Sequence, residues 1–284
     1  MIQQILLLLG LAILSFCFLL IGKRNGLFSL PASTHWFFPI RWYHVVFLFA
    51  FYFFVVGFIA PLILLALKKL GIQFASIEGA VWVNFLSSLL IFLFIGSYLI
   101  FLPKEVSQQI WRQKKGIDLF ADIKFGALIW LVSFPLVIFS NQLFEFFLHE
   151  LFHIPVIPEQ LAVRFLKMTF HTPLHFFLTS MTIAVFAPFI EEILFRGFLQ
   201  SFIRQHLSVN HSIVITALCF SIFHYTPEQG IANLSIISSL FILALFLGYT
   251  YDRRRSLAAP IALHAIFNTV NIANLYLFEG FPKL

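Results

Sequence analysis

The chain has little charge, little cysteine and no long polar stretch. Asp, Glu, Lys and Arg make up 11% of its 284 residues while 61% are hydrophobic, against roughly one quarter charged and one half apolar in soluble domains. A soluble globular fold is thereby excluded. The two cysteines, Cys17 and Cys219, fall in separate apolar blocks and form no C-x-x-C, so a disulfide scaffold and a thiolate metal site have no support. There is no linker that would carry a soluble domain and no clear internal repeat. The net charge of +6 does not argue for nucleic acid, because basic residues in such a chain mark the loops that stay in the cytoplasm.

Apolar sequence is abundant, in blocks about 20 residues long, the length a helix rising ~1.5 Å per residue needs to cross ~30 Å of hydrocarbon. The 40 Phe residues suit lipid-facing surface and helix packing. Blocks near 2–22, 43–67, 80–102, 125–148, 174–205, 209–225, 231–251 and 257–278 predict an all-α polytopic bundle of about eight transmembrane helices. A membrane β-barrel would instead show short alternating segments. The first block lacks a basic start and a small-residue cleavage site, and Lys23 and Arg24 follow it, so it reads as an anchored span and not a signal peptide.

With the N-terminus outside, 13 of the 18 basic residues fall in inner loops, among them Lys114, Lys115 and the Arg253–Arg255 run. Both termini are then expected outside a plasma or inner cell membrane. The chain divides, on this reading, into N-terminal transmembrane helices with a basic inner loop (1–124) and a C-terminal helical bundle (125–284). Trp36, in PASTHWFFP, is expected at the lipid headgroups.

A charged side chain in mid-membrane costs upward of roughly 2.5 kcal/mol and persists mainly when paired or functional. The block APFIEEILFRGFLQ holds two adjacent carboxylates. Glu192 and Arg196 are spaced i,i+4 with the acid first, the favourable order for an ion pair. Glu191 is about 100° further round the helix and is not offered that partner. The two acids should therefore differ, Glu192 serving structure and Glu191 chemistry. The blander reading, in which both only tie helices together through Arg196, leaves Glu191 idle.

His224 ends the block CFSIFHY. A lone histidine in an apolar helix is more often packing than chemistry, but depth favours a meeting with Glu191. The break near 208 joins two antiparallel helices; Glu191 stands 17 residues before it and His224 16 after it, each about 25 Å from the turn at ~1.5 Å per residue. In ALHAIFN, His264 and Asn268 share a helical face at i,i+4, while Asn271 and Asn274 read as interhelical hydrogen bonds. An acid pair, two imidazoles and an amide have the parts to activate water and stabilise an oxyanion. Glu191, His224 and His264 could equally hold zinc, so the cofactor reading stays open between none and zinc.

At these residues the chain resembles the CAAX-protease and bacteriocin-processing family of intramembrane endopeptidases, relatives of the type II CAAX prenyl endopeptidases. The E-E-x-x-x-R motif stands as Glu191, Glu192 and Arg196, F-x-x-x-H as Phe220 and His224, and H-x-x-x-N/D as His264 and Asn268, over about 175–272. The resemblance implies that Glu191 and His224 activate the attacking water, that His264 and Asn268 face the oxyanion, and that Glu192, Arg196 and Phe220 support them. It implies a peptide or membrane-protein substrate presented at the lipid bilayer.

A second motif competes. His149, Glu150 and His153 spell H-E-x-x-H, the signature of a helical zinc site with Glu150 as base. Against it, the motif lies at the end of a span, Pro155 follows at once, and the later spans as drawn hold no Asp to complete a site-2-type membrane zinc protease. Clustered with His171 and His175, it reads more simply as interfacial polarity. Two further readings keep the same helices without proteolysis: a non-catalytic scaffold or bacteriocin-immunity-type protein, and a transporter using Glu191 and His224 as a proton relay.

Overall fold

The computed structural model describes residues 2–30, 40–69, 76–111, 118–155 and 157–279. Trp36 and the basic run 112–117 lie outside the described residues. The apolar blocks all form helices: α1 (Ile2–Arg24), α2 (Trp42–Lys69), α3 (Ser76–Phe101), the short α4 (Lys104–Trp111), α5 (Leu119–Glu150), the short α6 (Leu161–Lys167), α7 (Pro173–Arg204), α8 (Val209–Phe223), α9 (Asn233–Arg254) and α10 (Ala258–Glu279). Among the described residues there is no strand. Seven of these helices are long and apolar enough to cross a membrane, and the chain is an integral multi-pass membrane protein. The eighth expected span, α8, has 15 residues, so it runs only about 22 Å at ~1.5 Å per residue and falls short of a full crossing.

Large apolar side chains such as Leu6, Phe16, Phe53 and Leu93 are more than half exposed. In water that would be costly, but against lipid it is the expected outer surface. Buried residues from both halves of the chain pack together. Ile40, Leu48, Ile91 and Ile95 from the first helices pack with Ile190, Leu194, Phe195 and Phe220 from the later ones. A second, smaller cluster joins Ile129 and Val137 of α5 to Leu243, Leu247 and Leu263 of α9 and α10.

α5 is the strut of the C-terminal bundle, packing on α1, α9 and α10. Gly126 lets α10 approach closely: a Cβ there would lie 2.4 Å from the Ala259 carbonyl oxygen and 3.0 Å from the Leu263 nitrogen. Small residues at such crossings allow backbones to touch, which is how helices associate where lipid removes the hydrophobic drive. Asp122, in the first turn of α5 and fully buried, takes Nε and an Nη of Arg254 at 2.7 and 2.6 Å. That fork fixes α5 against the end of α9.

Asp252 corrects one expectation. It lies inside α9 and is 4% exposed. It accepts from Gln200 Nε2 at 2.5 Å and so ties α9 to α7. It does not complete any site with His149.

Candidate active site

The helix that carries the acid pair is irregular on both sides of it. α7 widens into π turns at Thr182–Phe186 and Ile193–Gln200, with regular helix only at Ala187–Glu192 between them. Such turns cluster at functional sites. Here one has a local cause and a consequence. Pro188 has no N–H to give, and the Ala187 N–H bonds back to Thr182, so the Ile183 carbonyl is left without a donor from its own helix. Asn268 Nδ2 of α10 donates to it at 2.8 Å, pinning α10 beside the acid pair.

The two carboxylates separate as their spacing predicts. Glu192 is fully buried; its Oε1 accepts from Arg196 Nη1 at 3.0 Å and from His264 Nδ1 at 2.9 Å. Arg196, equally buried, also donates to the Ala244 carbonyl at 3.1 Å and lies 4.6 Å from the Phe220 ring centre. Glu191 faces a cavity. Its Oε2 takes no hydrogen bond within the protein and stands 3.8 Å from His224 Nε2 and 3.9 Å from His264 Nε2. These gaps are too long for direct hydrogen bonds.

Each imidazole is oriented by what its other nitrogen does. α8 ends at Phe223, and the His224 N–H turns to Ser221, leaving the Phe220 carbonyl among the unfilled acceptors of a helix terminus. His224 Nδ1 donates to it at 2.8 Å. A carbonyl can only accept, so the neutral ring carries its proton on Nδ1 and turns the Nε2 lone pair toward Glu191. His264 Nδ1 donates likewise to Glu192, the carboxylate–histidine arrangement that fixes the orientation of the ring. Phe220 thus contributes a carbonyl to one histidine and a ring against Arg196, His224 and His264.

Glu191, His224, His264 and Asn268 line one cavity of about 540 Å³, within the usual range for ligand sites. Asn271 and Asn274 line it too, so they face the cavity instead of bridging helices as expected. The polar stripe His264, Asn268, Asn271, Asn274 down one face of α10 was a readable signal for this. Gln160 and the α6 residues Val163 and Leu166 form the far wall, and no motif pointed to them. Lys167 of α6 pairs with Glu159 at 2.5 Å and with Glu279 of α10. Partial burial works to lower its pKa, but these two carboxylates outweigh it and raise the value above that of an ordinary lysine.

Zinc takes carboxylate and imidazole ligands, and two of them at ~2.1 Å in ideal tetrahedral geometry lie about 3.4 Å apart, against 3.8 and 3.9 Å from Glu191 Oε2 to the two imidazoles. Among the described residues no group of three His, Cys, Asp or Glu side chains is placed to hold a metal. The H-E-x-x-H reading is corrected on the same ground and on a local one. α5 stops at Glu150, and His153 lies beyond it with a φ of 52°, so His149 and His153 do not share a helical face. Glu150 instead lies 3.2 Å from its neighbour His149.

Comparison with known proteins agrees with this picture. The chain is 25% identical over 246 residues to the "UPF0177 protein in abiGi 5'region" of Lactococcus lactis subsp. cremoris, covering 84% of this chain and 92% of that protein. No solved structure matches it. Residues 173–270, the stretch that holds Glu191, Glu192, Arg196, Phe220, His224, His264 and Asn268, match the type II CAAX prenyl endopeptidase Rce1-like family.

Proposed function

We propose that the protein is an intramembrane endopeptidase of the cell membrane that hydrolyses a peptide bond through a water activated by Glu191 and His224. The supporting observation is the convergence of Glu191 Oε2 on both imidazole Nε2 atoms across 3.8 and 3.9 Å at a cavity wall. A water held there gives one hydrogen to the Glu191 carboxylate and the other to His224 Nε2, leaving its lone pair aimed into the cavity. Glu191 takes the proton as the oxygen attacks the scissile carbonyl, and later returns it to the leaving amine.

The oxyanion takes the second amide hydrogen of Asn268 and, when His264 carries a proton on Nε2, a hydrogen bond from that imidazole. Glu192 and Arg196 hold His264 in place without touching the substrate.

The test is cleavage of a quenched fluorescent membrane peptide by purified protein in vesicles, comparing the native chain with Glu191→Gln and His224→Ala. Both variants should fold and lose at least ~10²-fold in rate. Equal rates in all three sink the assignment. Metal analysis of the same preparations decides the zinc alternative: stoichiometric zinc that disappears in His224→Ala favours it.

A further inference from the structure

Two cavities meet at Glu191. The first is the one described above. The second, of about 500 Å³, lies between α2, α3 and α7, and Ala187 and Glu191 line both. On its α2 side the helix loosens into a π turn at Val55–Ile59, where Tyr52, Val56 and Ala60 face the cavity. On its α3 side stand Asn84, Ser87 and Ser88, three polar residues at i, i+3 and i+4 on one face of a largely apolar helix. Ser87 is 5% exposed and its Oγ has no hydrogen-bond partner. A buried hydroxyl left unpaired in hydrocarbon costs free energy that a ligand can recover.

We propose that this second cavity is a substrate subsite for an unwound apolar peptide segment. Asn84, Ser87 and Ser88 receive its backbone, and the chain runs on past Glu191 into the first cavity. The proposal rests on Glu191 marking the point of cleavage. A helical peptide keeps its amides in its own hydrogen bonds, so the bond presented for hydrolysis must sit in an unwound stretch, and inside a bilayer that backbone has to find partners in the protein. An acyl chain would fill the apolar wall equally well but has nothing to offer two hydroxyls and an amide.

Photocrosslinking tests this without requiring turnover. p-Benzoylphenylalanine is placed at Val56 or Val83, on opposite walls of the cavity, or at the lipid-facing control Leu93, 55% exposed. The probe, in phosphatidylcholine vesicles, is a biotinylated Leu/Ala peptide of about 20 residues, one membrane span, with a central Gly-Ser-Gly break. Peptide adducts should form from Val56 and Val83 about fivefold more than from Leu93, the ratio that a ~1 kcal/mol preference gives. Ser87→Val should erase that excess. Equal yields at the three positions, or phospholipid adducts in place of peptide, overturn the subsite. Glu191→Gln should keep the adduct, and its loss in that variant also counts against the subsite. If Glu191→Gln keeps both adduct and cleavage, the catalytic reading fails while the subsite stands.

Discussion

Replacing Gly126 with Ala tests whether the helix crossing that positions His264 is as tight as it looks. The new Cβ would meet the Ala259 oxygen at 2.4 Å, the Leu263 nitrogen at 3.0 Å and the Ala262 Cβ at 3.1 Å. Two of these are backbone atoms that cannot rotate away. Restoring contact distances near ~3.5 Å requires α5 and α10 to part by roughly 1 Å. His264 follows Leu263 directly, so its 2.9 Å bond to Glu192 moves beyond the range of a sound hydrogen bond. The overpacking costs ~1–3 kcal/mol, and the charge-assisted bond adds about 1.5–3 kcal/mol when lost. Thermal unfolding in detergent should drop by several degrees, at about 2–4 °C per kcal/mol. Cleavage should fall about 10²-fold, the penalty for a ~1 Å misplacement at a reacting centre. Gly96→Ala is the control, because nothing lies within 4 Å of a Cβ there, and it should gain up to ~1 kcal/mol from helix propensity. A Gly126→Ala protein with native melting and native rate would refute the reasoning.

Arg196→Met alone leaves the Glu192 charge buried beside His264 and should cost about 3–5 kcal/mol, whereas the double variant with Glu192→Gln should recover part of that loss; denaturation midpoints of the three proteins decide. Asn268→Ala strands the Ile183 carbonyl, and an unpaired buried acceptor costs ~1–3 kcal/mol, so melting should fall even where activity is already abolished by Glu191→Gln. The raised pKa of Lys167 carries a definite sign. Its pairing with Glu159 and Glu279 contributes fully below the ordinary lysine value and fades as pH climbs through the raised one. Protease nicking of the segment between α5 and α7 should thus accelerate only at strongly alkaline pH, and Lys167→Met should show the faster rate already at neutral pH.

The partition of the acid pair was legible in sequence because Arg196 stands i,i+4 from Glu192, and the ion pair forms at that spacing although the helix widens into a π turn there. The depth argument for Glu191 and His224 held for a related reason, since two antiparallel helices from one tight turn share a ruler. The zinc motif at His149 failed because a pattern presumes a helix through all five positions, and α5 ends at Glu150 ahead of Pro155. Asn271 and Asn274 were misassigned because a polar residue in a membrane helix satisfies itself equally well on a neighbour or in a wet cavity. Only the neighbours decide which.

Composition and hydropathy alone determined that this is a helical membrane protein, because the bilayer leaves a chain this apolar few other ways to satisfy its backbone. Local spacing determined which residues share a face. The tertiary structure decided the rest. It brought the two imidazole Nε2 atoms to 3.8 and 3.9 Å from one Glu191 oxygen, turned Glu192 toward His264, and set a second cavity beside Glu191 from helices far away in the sequence. Those outcomes depend on side-chain packing between distant helices, down to the missing methyl at Gly126. No periodicity within a single helix encodes them.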